Sequence, residues 1–280
     1  MDITVQNKHL IVDITRLYGN YRKRLINNYR DFKVIHCAVK YLNDNYAMNS
    51  NLSIKVENFF DGGMKEFAKS DAHGMVKRVL QIGNPGRSLI DAVALTEHCL
   101  QVMVSKMYVT FPERYFNTNQ NNSGSLNQQI KLVRLIIESP NRKSMIDEMV
   151  EEKVRGIFYG NPTHFFMKDK TKIGLGDHFS SQFNNAISMY QEVIARRNVY
   201  AHNGGRVDRK YLREVKNPQF KLNEKIQIDE KYLKEASIIL LGLVATTTKV
   251  VILNVLHGEK EKLNKFIESA ANYFEKHYKD

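Results

Sequence analysis

The amino-acid sequence predicts an all-α protein, and two observations support this fold class. Apolar residues recur every three or four positions along nearly every long segment, which is the period of an α-helix. Glycine-containing clusters interrupt these segments at Asp61–Gly63 and at Gly83–Gly86, and the second cluster also contains a proline. A chain of 280 residues is long enough for one large domain, or for a core with an appendage.

The N-terminal part of the chain contains two apolar stripes at helical spacing. One stripe consists of Leu10, Ile14, Leu17 and Tyr21, and the other of Val34, Cys37, Ala38 and Tyr41. We expect Asp61–Gly63 to break one helix and Gly83–Gly86 to break the next. This organisation predicts a helical region at residues 1–82, a central domain at 83–258 and a C-terminal helix at 259–280. No long flexible linker separates the first two parts, so they are expected to pack together.

Two segments of the central domain read as loops. Phe116–Gln129 is rich in Asn, Ser and Gln and predicts a solvated connection, although Leu126–Glu138 also has helical spacing around Leu135 and Ile136. Met167–Ser181 contains two glycines and three lysines, which are Lys168, Lys170 and Lys172. This loop is either an ordinary connector, which is the favoured interpretation, or a substrate contact in which the lysines bind phosphates without reading sequence.

The most informative segment is Arg196–Gly205, which reads RRNVYAHNGG. It predicts the last turns of a helix that ends at Gly204 and Gly205, where left-handed backbone costs little. Asn198 and His202 are four residues apart and share a helix face. Arginine binds phosphate in a bidentate manner, and histidine transfers protons near neutral pH without a metal, so these residue types suit a phosphodiester. Without further support, the same residues also describe a solvated helix end.

The predicted motif helix begins near Gln182 and has an apolar stripe formed by Phe183, Ile187, Tyr190 and Ile194. Arg197 continues the stripe by one turn, which directs its guanidinium towards a packed seam. A buried cation requires a partner. That partner is either an anion received in a dimer cleft or an intramolecular carboxylate such as Glu97 or Glu192.

The order Arg197, Asn198, three residues and His202 resembles the signature of the HEPN superfamily. The segment Asn203–Leu212 is similar to the usual continuation of that signature, and Phe220–Leu233 resembles the extended segment that leads into the last helix of the family. Upstream, Ser88–Val109 resembles its first long helix. The similarity covers roughly residues 87–256. One departure is Gly204, which stands where the nucleotidyltransferase-paired toxins have a tyrosine.

The resemblance implies a four-helix bundle in residues 83–258 that dimerises so that Arg197 and His202 of two chains share a cleft. It also implies a metal-independent endoribonuclease of a toxin–antitoxin or other prokaryotic defence system, with an antitoxin or defence protein as a partner. Some members of the family are inactive binding modules. The alternative is therefore a non-catalytic HEPN-like module that binds RNA, a nucleotide or a protein.

The composition agrees with a nucleic-acid partner. The chain has 42 Lys and Arg against 30 Asp and Glu, a formal charge of +12 and a pI near 9.5, which favours a polyanion. The absence of tryptophan argues against an extensive base-stacking platform. Cys37 and Cys99 form neither a disulfide framework nor a metal motif, and Met1–Leu10 lacks an apolar signal, so we expect a cytoplasmic protein.

One segment, Ala236–Leu256, is apolar enough to suggest a membrane span. Lys249 and three consecutive threonines interrupt it, so a buried bundle helix is the favoured interpretation over a transmembrane helix. We therefore expect no membrane association.

These observations lead to a specific functional hypothesis, which is an RNA endonuclease that leaves 2′,3′-cyclic phosphate ends. His202 is expected to act as general acid or base, Arg197 to neutralise the phosphorane charge, and Asn198 to orient His202 or the phosphate. Arg196 is a weaker candidate for binding the RNA backbone. Asp208 and Glu192 are the nearest carboxylates to His202, which offers no cluster of oxygen ligands, so we expect neither a metal nor a cofactor.

Overall fold

The computed structural model describes residues 3–48, 53–58, 62–112, 139–158, 160–168, 171–173, 175 and 178–280. This part of the chain is predominantly helical, as the sequence predicts. The described helices are α1 (Ile3–Met48), α2 (Lys69–Arg78), α3 (Asn84–Thr110), α4 (Arg142–Phe158), α5 (His164–Met167), α6 (His178–Gln182), α7 (Asn184–Asn203), α8 (Arg209–Glu214), α9 (Glu230–Val250) and α10 (Lys265–Tyr278). The loop predicted at Phe116–Gln129 and the helix predicted at Leu126–Glu138 lie outside the described residues.

A β-hairpin stands where the sequence predicted only helices. Strand β1 (Ile54–Glu57) pairs antiparallel with strand β2 (Met64–Phe67), and Ile54 lies opposite Phe67. Both of these side chains pack against a small core of α1 and α2, which consists of Tyr46, Ala72 and Val76. The prediction that Asp61–Gly63 breaks a helix is therefore wrong. Gly62 has a φ of 68° and belongs to the connection between the two strands.

The chain does not break at Gly83–Gly86 either. A π-helical turn, Val79–Gly83, continues α2 directly into α3, and the Asn84 N–H donates to the Val79 carbonyl across this wider turn. Pro85 has no N–H to donate. The wider turn directly before it lets the helix continue through this proline. Gly86 has a packing role, since a Cβ there would lie 2.4 Å from Cδ1 of Tyr200.

The chain divides into two compact units. The first consists of Met1–Tyr21, Thr96–Ile187 and Leu241–Asp280, and its core contains an aromatic cluster in which Phe183 stacks on Phe274 with 5.2 Å between the ring centroids. The second consists of Arg22–Leu95 and Ser188–Leu240, and it carries the Arg196–Gly205 segment. The domain boundaries predicted at residues 82/83 and 258/259 do not coincide with this division and stay predictions.

The apolar helix α9 continues through a π-helical turn, Val251–Val255. Within the described residues, the stretch Glu230–Val255 is the one helix long and apolar enough to cross a membrane, and 72% of its most apolar window is buried inside the protein. The hydroxyls of Thr247 and Thr248 donate to backbone carbonyls one turn earlier, at 2.8 Å and 2.7 Å. Burial of this kind is typical of a core helix, which is the interpretation favoured from the sequence.

Candidate nucleic-acid site at the end of helix α7

Helix α7 carries the motif and ends where the sequence predicts. The four residues of its predicted apolar stripe, from Phe183 to Ile194, are all buried. Beyond Asn203 the backbone turns through Gly204 and Gly205, which have φ values of 56° and 82°. The Gly205 N–H then donates to the Val199 carbonyl at 3.1 Å and satisfies one of the last carbonyls of the helix. Both glycines therefore adopt the left-handed conformation that only glycine accepts at little cost.

Arg196 is the buried cation of the motif segment, with 5% of its surface exposed. Its Nε donates to Oε1 of Glu192 at 2.7 Å, and its Nη2 lies 2.5 Å from the same oxygen. Its Nη1 donates to the backbone carbonyl of Gln227 at 3.2 Å. These contacts connect the last turns of α7 to the extended segment that leads into α9.

Two tyrosines complete the surroundings of Glu192. The hydroxyl of Tyr232 donates to Oε2 of Glu192 at 2.5 Å, and the hydroxyl of Tyr211 donates to Oε1 at 3.1 Å. The guanidinium of Arg196 lies over the Tyr232 ring at 3.7 Å from its centroid and 5.2 Å from the centroid of Phe220. We call Glu192, Arg196, Tyr211 and Tyr232 the Arg196 network. Every charged group in it has hydrogen-bonded partners, which is the condition for a tolerable buried ion pair.

The pKa values of the network reflect burial and the shared carboxylate. Burial raises the pKa of Tyr211 to about 12, and the Glu192 carboxylate raises it in the same direction. The same two causes raise the pKa of Tyr232 well above its ordinary value. For Arg196, burial opposes ionisation, but Tyr232 and Glu192 outweigh it and raise the pKa of the guanidinium. The Arg196 guanidinium is therefore charged across the physiological pH range.

This arrangement changes the interpretation of the two arginines. The sequence assigned the seam position to Arg197 and an RNA contact to Arg196, with Glu192 as a possible partner of Arg197. In the structure, Glu192 pairs with Arg196, whereas Arg197 is half-buried. The signal that the sequence reasoning missed is the spacing of Glu192 and Arg196, which are four residues apart and face each other on a helix.

Asn198 and His202 lie on the outer side of the same helix end. Asn198 is half-buried and His202 is exposed. Among the described residues, no group hydrogen-bonds to the imidazole of His202 or forms an ion pair with it. Asn203 is engaged locally, because its amide donates to the Arg206 carbonyl at 2.6 Å. The imidazole is thus accessible to a ligand, and its helix end is fixed by the glycine turn and the Arg196 network.

A basic segment follows the motif and packs against the same helix. Val207 and Tyr211 share a hydrophobic core with Ala195 and Val199 of α7, so α8 is held beside the motif. The side chains that this segment exposes are mostly cationic, and they are Arg206, Arg209, Lys210, Arg213 and Lys216. Of its two carboxylates, Asp208 caps α8 by accepting from the Tyr211 N–H at 2.7 Å, and Glu214 lies 4.0 Å from Lys210. The surface beside His202 is therefore positively charged.

The segment Met167–Ser181, which contains the three candidate lysines, belongs to the other compact unit. Lys168 and Lys172 are exposed, whereas Lys170 lies outside the described residues. Lys172 has a φ of 52°, and its neighbours Thr171 and Ile173 are fully buried. The Tyr108 hydroxyl donates to the Thr171 carbonyl at 2.5 Å and anchors this part of the loop. The assignment of these lysines as RNA contacts stays a prediction.

A cavity of about 330 Å³ lies on the Arg196 side of α7. Its lining combines apolar side chains from α7 and α9 with the whole Arg196 network. Three carboxylates and two cations contribute to the lining, namely Glu192, Asp229, Glu235, Arg196 and Lys231. This charge balance differs from the cationic surface beside His202 and does not favour a phosphate.

Metal ligands are not clustered in the described part of the chain, where no group of three or more His, Cys, Asp or Glu side chains is placed to hold an ion. The chain was also compared with known proteins. No family model, no curated protein and no solved structure matches it. The functional interpretation therefore depends on the geometry of the site and on the resemblance of its motif.

Proposed function

We propose that the protein is a metal-independent endoribonuclease with a HEPN-like four-helix core, acting as a homodimer in a prokaryotic defence or toxin system. The observation that supports this proposal best is the exposed imidazole of His202 at the end of α7, beside the cationic surface of α8. A cationic surface attracts the RNA backbone, and an accessible histidine supplies acid–base chemistry next to it. The cytoplasm and an antitoxin or defence partner are part of the same proposal.

The proposed reaction is an internal transfer at phosphorus. A base removes the proton of the RNA 2′-hydroxyl, the 2′-oxygen forms a bond to the adjacent phosphorus, and the bond from phosphorus to the 5′-oxygen breaks. The departing oxygen takes up a proton, so the products are a 2′,3′-cyclic phosphate and a 5′-hydroxyl. His202 exchanges these protons, Arg197 neutralises the charge that develops on the phosphorane, and Asn198 orients the imidazole or the phosphate.

A homodimer gives this chemistry two histidines. If the motif segments of two chains face each other, one His202 acts as the base and the other as the acid, as a two-fold axis allows. A single imidazole would otherwise have to change its protonation state within each turnover. The dimer also doubles the cationic surface that faces the RNA.

The basic surface also suits a non-catalytic RNA-binding module, because binding requires cations but no titrating group. The two functions differ in what His202 contributes. In a nuclease, His202→Ala abolishes turnover but leaves RNA affinity largely intact. In a binding module, no variant has turnover to lose.

The test is incubation of purified wild-type protein with total RNA in EDTA, beside His202→Ala and a matched control, His9→Ala. His9 is an exposed histidine of α1 outside the motif. We expect cleavage by wild type and His9→Ala, and a loss of about 10²-fold or more in His202→Ala, which is the usual contribution of a general acid or base. RNA binding without cleavage by any of the three proteins would favour the binding module. Equal cleavage by all three would exclude His202 from the reaction.

A further inference from the structure

The C-terminal half of α1 presents an apolar stripe to solvent. Four large side chains are exposed, with Val34 at 69%, Ile35 at 44%, Tyr41 at 70% and Leu42 at 45%. Ala38 lies at the centre of this group and is also exposed. These five residues are called the α1 stripe. They include most of an apolar pattern that the sequence shows at helical spacing, and a pattern of this kind normally faces a packed core.

Another side of this half of α1, about 100° round the helix from Ala38, already has its partners. Phe32 and Tyr46 are 1% and 4% exposed. Tyr46 and Val39 pack against the core that α2 and the β-hairpin provide. The helix is therefore apolar on two sides, one of which is covered within its own compact unit. A second apolar side of this size on a helix is typical of an interaction surface.

The spacing of the α1 stripe is symmetric about Ala38. Val34 and Leu42 lie four residues before and after it, and Ile35 and Tyr41 lie three residues before and after it. If a second copy packs antiparallel with a two-fold axis at Ala38, Val34 meets the partner's Tyr41 and Ile35 meets the partner's Leu42, because the two residues of each pair lie on the same edge of the stripe. The small side chain at the axis permits close approach of the two helices. Such a self-complementary surface is what an isologous dimer requires.

The charges at the edge of the stripe support the same register. Arg30 and Asp44 lie on the same edge, about 80° and 120° round the helix from Ala38 at 100° per residue. Antiparallel pairing brings Arg30 beside the partner's Asp44, and the symmetry repeats this contact. Parallel pairing would instead leave Arg30 and the partner's Asp44 fourteen residues apart along the two helices, too far to interact. Both side chains are exposed, and neither has an ion-pair partner among the described residues.

We propose that the α1 stripe binds the α1 stripe of a second copy of this chain, antiparallel and centred on Ala38. The contact spans residues 30–45, or about 24 Å of helix. This is short compared with a standard protein interface, so we expect a dimer in the micromolar range whose population depends on concentration. The proposal does not depend on ribonuclease activity. It also differs from the contact between motif segments that the proposed reaction requires.

Cys37 provides a reporter of this contact. It is an exposed free thiol one residue from the proposed axis, whereas the other cysteine, Cys99, is buried. In the proposed dimer, Cys37 and the partner's Cys37 lie on the same edge, one residue to either side of the axis. A flexible bis-maleimide of moderate length should therefore link two chains in wild type and not in Cys37→Ser.

The deciding experiment measures the self-association constant by sedimentation equilibrium of the full chain. We expect Val34→Glu and Tyr41→Glu to weaken association at least tenfold. Val12→Glu should leave it unchanged, because Val12 is 55% exposed on the same helix outside the stripe. The Cys37 cross-link distinguishes this contact from the one between motif segments. A wild type that gives no Cys37 cross-link, or a Val34→Glu variant that cross-links as well as wild type, would overturn the proposal.

Charge reversal tests the register separately. Arg30→Asp and Asp44→Arg should each weaken association, because each places like charges together at both ends of the contact. The double variant should restore association, since the attraction is re-formed with its signs exchanged. Failure of the double variant to recover would contradict antiparallel pairing about Ala38. RNA cleavage plays no part in these measurements, so their outcome is independent of the proposed reaction.

Discussion

Two successive stretches of α7 carry similar residues in opposite environments. Glu192–Arg196 is buried, and its ion pair is enclosed by two tyrosines and a backbone carbonyl. Of the next six residues, Arg197 and Asn198 are half-buried, and the stretch ends in the exposed imidazole of His202, which has no partner among the described residues. The difference teaches that a cationic motif can contain a structural cation, Arg196, directly beside the residues to which the proposal assigns the chemistry. Position along the helix, and not residue type, decides which is which.

The largest expected difference between these two stretches is in stability. Arg196→Ala should lower the free energy of unfolding by about 3–5 kcal/mol, because it leaves the Glu192 carboxylate charged and largely buried. His202→Ala should change it by no more than about 0.5 kcal/mol, as is usual for an exposed side chain. Urea unfolding followed by circular dichroism measures both. A similar loss in the two variants would remove the distinction between the stretches.

The hydroxyl of Tyr232 should contribute the next largest effect. Tyr232→Phe keeps the ring under the Arg196 guanidinium and removes only the hydrogen bond to Glu192, so we expect a loss of about 1.5–3 kcal/mol, as for a bond to a charged group. Tyr211→Phe should cost less, because its hydroxyl lies 3.1 Å from the carboxylate. The same urea titration compares them. A larger loss of unfolding free energy in Tyr211→Phe than in Tyr232→Phe would contradict the predicted order of the two hydrogen bonds.

Replacement of each arginine by lysine should distinguish the structural role of Arg196 from the catalytic role proposed for Arg197. Arg196→Lys should lower the free energy of unfolding, because lysine cannot reproduce the stacked, forked geometry of the guanidinium. It should leave the cleavage rate per folded molecule nearly unchanged. Arg197→Lys should lower kcat/KM per folded molecule at least tenfold, or about 1.4 kcal/mol. Stability and RNA cleavage are measured on the same preparations. Full activity of Arg197→Lys would make Arg197 a point charge or a structural residue.

A further effect is expected on stability in alkali. The pKa of Tyr211 is about 12 in the folded state against 10.0 ordinarily, so the folded state holds this proton more tightly. Its contribution to stability is fully present below pH 10 and is lost as the pH rises through 12. Tyr211→Phe should therefore lose less stability than wild type between pH 10 and pH 12. Cys99, whose pKa burial raises to about 12, acts in the same direction and is unchanged in this comparison.

Much of the fold follows from periodicity, because helices with one apolar face leave a clear signal. The long helices α1, α3, α7 and α9 and the glycine end of α7 are in this group. The β-hairpin was missed because all eight of its strand residues are half-buried or exposed, with no alternation of buried and exposed positions. The continuous helix through Gly83–Gly86 was missed because glycine and proline in sequence normally predict a helix break. The π-helical turn that lets the helix continue into Pro85 is not visible in the local sequence.

The site was predicted less completely than its helix. The motif residues and the glycine end could be read from a continuous segment. Burial of Arg196 depends on Tyr232 and Phe220, which are more than twenty residues away along the chain and invisible to helical periodicity. For the same reason, the spacing of Val34 and Tyr41 indicates an apolar face but does not show what covers it.

The central claim is that His202, without a metal, carries out transfer at phosphorus within RNA. The measurement that tests it most directly is the chemistry of the RNA ends that wild-type protein produces in EDTA near neutral pH. Accumulated 2′,3′-cyclic phosphates with 5′-hydroxyls are the predicted result, because the attacking oxygen belongs to the RNA itself. Products with 3′-hydroxyl ends, or cleavage that EDTA abolishes and Mg²⁺ restores, would contradict the account.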